Sequence, residues 1–272
     1  MSFASLLVLG LIAGFTIFLG LPIGRLQSRS TAVVALLNAV TIGILLFLVW
    51  DVLTHAVEPI EATLATATAG KTGWLTFSVL AAVLVASLGV GMLGLVAFDV
   101  WGRKRWAIVS DRKPGVLRLD ETAGRLAFMI AVGIGLHNFS EGLAIGQSAA
   151  GGQLQLAVVL VIGFGLHNAT EGFGITAPLA GAPVRPTWTR LALLGLIGGL
   201  PTLIGTLLGG ILVNDLISVA FLALAAGSII FVIVQLVGVA IRLNRHYGLF
   251  AGILVGMTIG FATDFIVTAA GA

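Results

Sequence analysis

Two copies of one short polar phrase carry the residues best suited to binding a cation. The first copy reads Gly135-Leu136-His137-Asn138-Phe139-Ser140-Glu141-Gly142, and the second reads Gly165-Leu166-His167-Asn168-Ala169-Thr170-Glu171-Gly172. On a helix, the His lies one turn before the Glu on the same face, and the Asn lies three residues before that Glu. Each copy therefore presents an imidazole, an amide and a carboxylate as one polar patch. Inside an apolar segment, such a patch is costly unless it faces polar groups, water or a cation.

The spacing of the two copies predicts that their patches meet. The copies lie thirty residues apart, and the polar stretch 151–153 between them is suited to a turn. Because a spanning helix takes about 20 residues, a hairpin folded there places both patches at similar depth. Neutral imidazoles and ionised carboxylates suit zinc, iron, manganese and similar divalent ions. A single membrane histidine is more often a hydrogen-bonded bundle residue, but the duplication favours a metal site. Its predicted ligands are His137, Glu141, His167 and Glu171.

The composition predicts an all-α integral membrane protein. Hydrophobic residues make up 58 % of the chain, charged residues make up 9 %, and there is no cysteine. A soluble domain carries roughly a quarter charged residues, so the expected surroundings are a lipid bilayer. The lack of cysteine excludes disulfides and thiolate metal sites.

Eight apolar stretches are long enough to cross a bilayer as one transmembrane domain, 1–272. They cover about 3–24, 31–54, 74–101, 122–148, 154–180, 188–213, 216–241 and 247–271. Thirteen of the fourteen Lys and Arg residues then fall on one side, and only Lys71 falls on the other. By the positive-inside rule, the basic loops, above all 102–121, face the cytoplasm and both termini are extracytoplasmic. We expect a multi-pass protein of the cell (inner) membrane, whose basic residues set the topology and bind no nucleic acid.

The doubled His-Asn-x-x-Glu-Gly phrase, with this layout, resembles the ZIP (Zrt/Irt-like) family of divalent metal transporters. The resemblance implies a bundle of eight transmembrane helices with a metal centre on helices 4 and 5 near the midplane. It implies uptake of zinc, or of iron, manganese or cadmium, into the cytoplasm by movement of one helix group against another. The metal is then the substrate, no cofactor is needed, and a homodimer is a possible assembly. The implied first metal position is His137, Glu141, His167 and Glu171, and the second is Asn138, Asn168 and the same glutamates.

Three positions depart from the family pattern. Ser140 and Thr170 stand where the family usually has Pro, which frees a carbonyl and kinks the helix. Ser or Thr is expected to bond that carbonyl and to bend the helix more mildly. Thr202 stands where helix 6 often supplies a carboxylate, so a second divalent ion would leave about two net positive charges at low dielectric constant. We therefore predict one tightly held metal. Gln235 falls near a position that is often acidic in the family.

Other polar residues in the apolar stretches are open to two interpretations. Asp51 and His55 are four residues apart and precede Glu58 and Glu61. These four residues form either an extracellular site that gathers cations or the solvated end of a helix. Asp264 either lines a pathway or bonds a neighbouring helix.

Two other functions would use the same histidines. A membrane-embedded metalloenzyme is the main alternative, because catalytic zinc has three protein ligands and an open position, and di-iron bundles use Glu-x-x-His pairs. Here the order is His-x-x-x-Glu, and no nucleophile or cofactor motif accompanies it. Haem binding through His137 and His167 would not require the glutamates or asparagines. The pattern therefore favours a transporter over an enzyme.

Overall fold

The computed structural model describes residues 2–25, 31–70, 73–109, 122–151, 154–182, 184–211, 214–242 and 246–269. In these residues all regular structure is helical, and each predicted stretch contains one α-helix. The helices are α1 Phe3–Phe15, α2 Thr31–Thr68, α3 Trp74–Val109, α4 Thr122–Ala150, α5 Leu154–Thr176, α6 Trp188–Gly209, α7 Asp215–Arg242 and α8 His246–Ala269. Seven segments of the described residues are long and apolar enough to cross a membrane. The all-helical class is confirmed, and the eight-span topology with outward termini stays a prediction.

Two of the predicted stretches are not α-helical to their ends. After α1 the chain continues as 3-10 turns over Thr16–Leu19 and Leu21–Arg25, and after α5 it continues as a 3-10 turn over Ala177–Gly181. Pro22 and Pro178 lie in these turns. Because proline has no backbone N–H, it cannot donate the bond that continues an α-helix.

Two other helices run past the apolar stretches, so the loop boundaries predicted there were wrong. Helix α2 continues through Pro59 to Thr68, which puts Glu58 and Glu61 on the helix instead of in a loop. Helix α3 continues to Val109, so residues 102–109 of the predicted basic loop are helical. The rest of that loop, 110–121, lies outside the described residues. Apolar residues show which part of a helix lies in lipid, whereas the hydrogen bonds of the helix can continue beyond the lipid into water.

The helices pack as two groups. Helices α1, α4, α5 and α6 all contact one another. In the second group, α2 packs on α3, α7 and α8, and α3 packs on α7. Between the groups, α4 packs on α7 and α5 packs on α8 and α2. An ion pair also joins the groups, because Arg125 Nε at the start of α4 lies 2.9 Å from Asp99 Oδ1 near the end of α3. A core cluster with members from both groups, including Ile42, Ile134 and Ile229, fills the space between them.

Candidate metal centre

His137, Glu141 and Glu171 form a buried polar cluster between α4 and α5. His137 Nε2 lies 3.2 Å from Glu141 Oε1 on its own helix and 3.8 Å from Glu171 Oε1 on the neighbouring helix. All three residues are buried. The predicted meeting of the two copies is therefore confirmed for these three side chains. His167 lies on α5, and its side chain is outside the described part of the structure.

The separations in this cluster are close to those between ligands of one metal ion. Two ligand atoms at about 2.1 Å from a tetrahedral zinc ion are about 3.4 Å apart. The measured distances from His137 to the two carboxylates, 3.2 and 3.8 Å, bracket that value. Among the described side chains, however, no three His, Cys, Asp or Glu groups surround a common point with metal-ligand geometry. The imidazole instead faces the carboxylates as an ion-pair or hydrogen-bond partner, so binding an ion requires side-chain rotation.

Asn138 and Asn168 are each tied to a helix outside the α4–α5 pair. Asn138 Nδ2 donates to the Gly198 carbonyl of α6 at 3.0 Å, and Asn168 Nδ2 donates to the Ala13 carbonyl of α1 at 2.9 Å. Both Oδ1 atoms are buried and accept no hydrogen bond from any residue that the structure describes. A buried amide oxygen without a donor is suited to a cation, since oxygen ligands include side-chain amides.

The glycine that ends each copy lets its helix approach a neighbouring backbone closely. A Cβ atom on Gly142 would lie 2.8 Å from Thr206 N and 2.9 Å from the Thr202 carbonyl carbon, both on α6. A Cβ on Gly172 would lie 2.9 Å from the Ile17 carbonyl carbon, in the turn after α1. Sequence reasoning assigned these glycines no role, although the recurrence of Gly directly after Glu was the available signal. They fix α4 on α6 and α5 on the end of α1 beside the two glutamates.

A cavity of about 360 Å³ reaches His137, Ser140 and Glu141. Its other polar lining residues are Asp51 and His55 of α2, Gln147 of α4, and Thr263, Asp264 and Thr268 of α8, with Ser218 of α7. His55 Nδ1 lies 3.5 Å from Asp51 Oδ1 and 2.9 Å from the Asp51 backbone oxygen. Because all three residues share a cavity with the cluster, the structure favours the gathering-site interpretation of Asp51 and His55 and the pathway interpretation of Asp264.

Comparison with known families identifies the chain. The model of the ZIP zinc transporter family matches residues 116–268, more than half of the chain, including both copies of the polar phrase. The chain belongs to the ZIP zinc transporter family. It is accordingly a membrane protein of a family that transports metal ions and does not catalyse reactions. A comparison with curated proteins gave no match.

Two of the departures from the ZIP pattern can be followed in the structure. Ser140 Oγ is buried and bonds no residue of the described chain, so the expected bond to the Leu136 carbonyl is absent. Helix α4 accordingly runs unbroken past this position. Thr202 is fully buried on α6 directly after Pro201, and its Oγ1 likewise has no hydrogen-bond partner among the described residues. Unlike the carboxylate that the family often has there, this hydroxyl adds no negative charge.

Proposed function

We propose that this ZIP protein carries divalent transition-metal ions into the cytoplasm, with zinc the first candidate and iron, manganese and cadmium the others. Glu141 and Glu171 offset the two charges of one such ion, and the neutral imidazole of His137 adds a nitrogen ligand. The buried position supports this role, because carboxylates away from water are costly unless a cation compensates them. The proposed ligand set is His137, Asn138, Glu141, His167, Asn168 and Glu171.

The shared cavity is the observation that carries the proposal. Asp51 and Asp264 lie in the wall of the same cavity as His137 and Glu141. Carboxylates at the outer part of a cavity attract a cation and raise its local concentration. An ion drawn in by these two residues can then exchange them for the imidazole and carboxylate deeper in. The orientation proposed from the basic loops makes this cavity extracytoplasmic, so the direction is uptake.

Release into the cytoplasm requires that the ligands become accessible from the other side. The division of the helices into two groups supports movement of α1, α4, α5 and α6 against the others. The Asp99–Arg125 ion pair bridges the groups at the end of the molecule opposite the cavity. We propose that this pair helps to hold the outward-facing arrangement and separates during the cycle.

The charge of the centre favours one ion at a time. Thr202 contributes a hydroxyl where a carboxylate would add a third negative charge. A second divalent ion would therefore leave about two uncompensated positive charges in a medium of low dielectric constant. The free Oδ1 atoms of Asn138 and Asn168 are neutral and do not correct that imbalance.

The proposed setting is the cell (inner) membrane, with eight spans and both termini outside. Helix α5 supplies the eighth span, since its 23 residues match the length that a bilayer requires. The exposed apolar side chains on α3 and α8, such as Leu93 and Phe250, are suited to contact lipid. A homodimer remains part of the proposal, as an arrangement within the same bilayer.

Uptake of zinc-65 into proteoliposomes tests the proposal. Glu141→Gln and Glu171→Gln keep the side-chain volume and remove the charge, so each should lower uptake by at least about a hundredfold. Glu61→Gln on the exposed part of α2 is the matched control and should transport normally. Normal uptake by both site variants, in protein that is folded, would refute the proposal.

A further inference from the structure

Ser140 is a buried polar side chain that the proposed ligand set leaves without a role. It is 7 % exposed, it lines the cavity, and its Oγ has no hydrogen-bond partner in the described part of the chain. Buried hydroxyls on helices normally bond a carbonyl of the preceding turn. Ser228 does so at 2.7 Å to Ala225, and Thr206 does so at 2.8 Å to Thr202. The Oγ atom is thus buried beside the cavity without a partner in the described chain, and a rotation about the Cα–Cβ bond would turn it toward a ligand in the cavity.

The position of Ser140 is between the cavity and the buried cluster. It lies next to Glu141 and about one turn from His137, on the face of α4 that lines the cavity. Asp51 is close enough to interact electrostatically with both His137 and Asp264. An ion that moves through this cavity from Asp51 and Asp264 to Glu141 therefore passes the part of α4 that carries Ser140.

We propose that Ser140 is a specificity-determining ligand, whose hydroxyl oxygen contacts the ion at the inner end of the cavity and favours oxygen-preferring divalent ions over softer ones. This inference rests on the proposed function, since it requires that the ion use this cavity. A hydroxyl is a neutral, hard oxygen donor, and oxygen ligands suit ions such as Mn²⁺, whereas thiolates suit softer metals. Proline, the usual family residue here, has no side-chain oxygen. The preference is therefore a consequence of this chain's own departure from the pattern.

Binding of Mn²⁺ and Cd²⁺ to the full-length protein in detergent, measured by calorimetry with each metal alone, tests the role of Ser140. Ser140→Ala should weaken Mn²⁺ binding by about tenfold and change Cd²⁺ binding by less than about twofold. Ser140→Cys replaces the oxygen with a soft sulfur of similar size, so it should strengthen Cd²⁺ binding while weakening Mn²⁺ binding. Ser228→Ala is the matched control, because it removes a buried hydroxyl that bonds its own helix.

The ratio of the two affinities decides the outcome. Unchanged affinities for both metals in Ser140→Ala and Ser140→Cys would overturn the inference, because they would show that the ion does not touch this side chain. Equal losses for both metals would also overturn it, because they would indicate a structural role. The proposed function is decided separately by the uptake of the glutamine variants. Loss of uptake in those variants together with an unchanged Mn²⁺/Cd²⁺ ratio would sink the Ser140 inference alone.

Discussion

Adding one methyl group at Gly142 should separate α4 from α6 beside the metal centre. A Cβ there would meet the Thr202 carbonyl oxygen first, with Thr206 N at 2.8 Å and the Thr202 carbonyl carbon at 2.9 Å, all inside the 3.4 Å at which ordinary contacts begin. The helices must therefore part by about one ångström, since no flexible side chain can move away. Overpacking of this kind costs about 3 kcal/mol, and the better helix propensity of Ala returns about 1 kcal/mol. We expect Gly142→Ala to be destabilised by about 2 kcal/mol.

Gly94 on the exposed face of α3 provides the matched control. A Cβ at Gly94 would meet no atom of the described residues within 4 Å, so Gly94→Ala should gain up to about 1 kcal/mol from helix propensity. The two variants then differ by about 3 kcal/mol, or roughly 6–12 °C in Tm on the scale of a 150–250-residue domain. Thermal unfolding in detergent measures this difference, and zinc uptake should fall only in Gly142→Ala. Equal melting temperatures for the two variants would refute the close-approach argument.

Three further predictions concern charge. Thr202→Glu should raise bound zinc from one ion to two per chain, because a third carboxylate halves the charge that a second ion leaves uncompensated. Thr202→Gln adds no charge and should keep one ion, and metal analysis of the purified protein measures both. Asp99→Asn should lower Tm and uptake, since removing one partner of a buried pair costs about 3–5 kcal/mol, and exchanging Asp99 and Arg125 should restore part of both. Zinc affinity, measured by titration at several pH values, should fall as pH falls, because protons compete for His137 and Glu141.

Each of these predictions has an outcome that contradicts it. One zinc per chain in both Thr202 variants would contradict the charge argument for single occupancy. An unchanged Tm in Asp99→Asn would mean that the contact with Arg125 adds no stability. Zinc affinity that does not vary between mildly acidic and neutral pH would mean that no titrating group binds the ion.

The sequence predicted the all-helical membrane class and the contact between the two polar patches, because both depend on local patterns. Apolar content and length identify a membrane helix, and residues four apart share a face, so His137 and Glu141 were placed together correctly. Local patterns could not show which helix packs against each polar face. Nothing local indicates that Asn168 donates to α1 while Asn138 donates to α6, or that Asp51 and Asp264 line one cavity. Those contacts join distant parts of the chain and depend on how whole helices pack.

Helix ends and close backbone contacts also could not be predicted from the sequence. The extension of α2 to Thr68 is set by continued hydrogen bonding in water, which hydropathy does not report. Ser140 departs from the general preference of serine for a carbonyl of its own helix, and its residue type alone does not reveal this. Gly142 was part of the quoted motif, but a glycine shows what it permits only when the neighbouring backbone is known.

The contacts that hold α4 and α5 to their neighbouring helices provide a way to observe transport. Asn168 holds α5 to α1, Gly172 holds it to the turn after α1, and Asn138 and Gly142 hold α4 to α6. In the proposed transport movement, α1 would therefore move together with α4 and α5, although it contributes no proposed ligand. Spin labels on the exposed residues Val8 of α1 and Val90 of α3 would report this movement as a change in the distance between the two labels during transport.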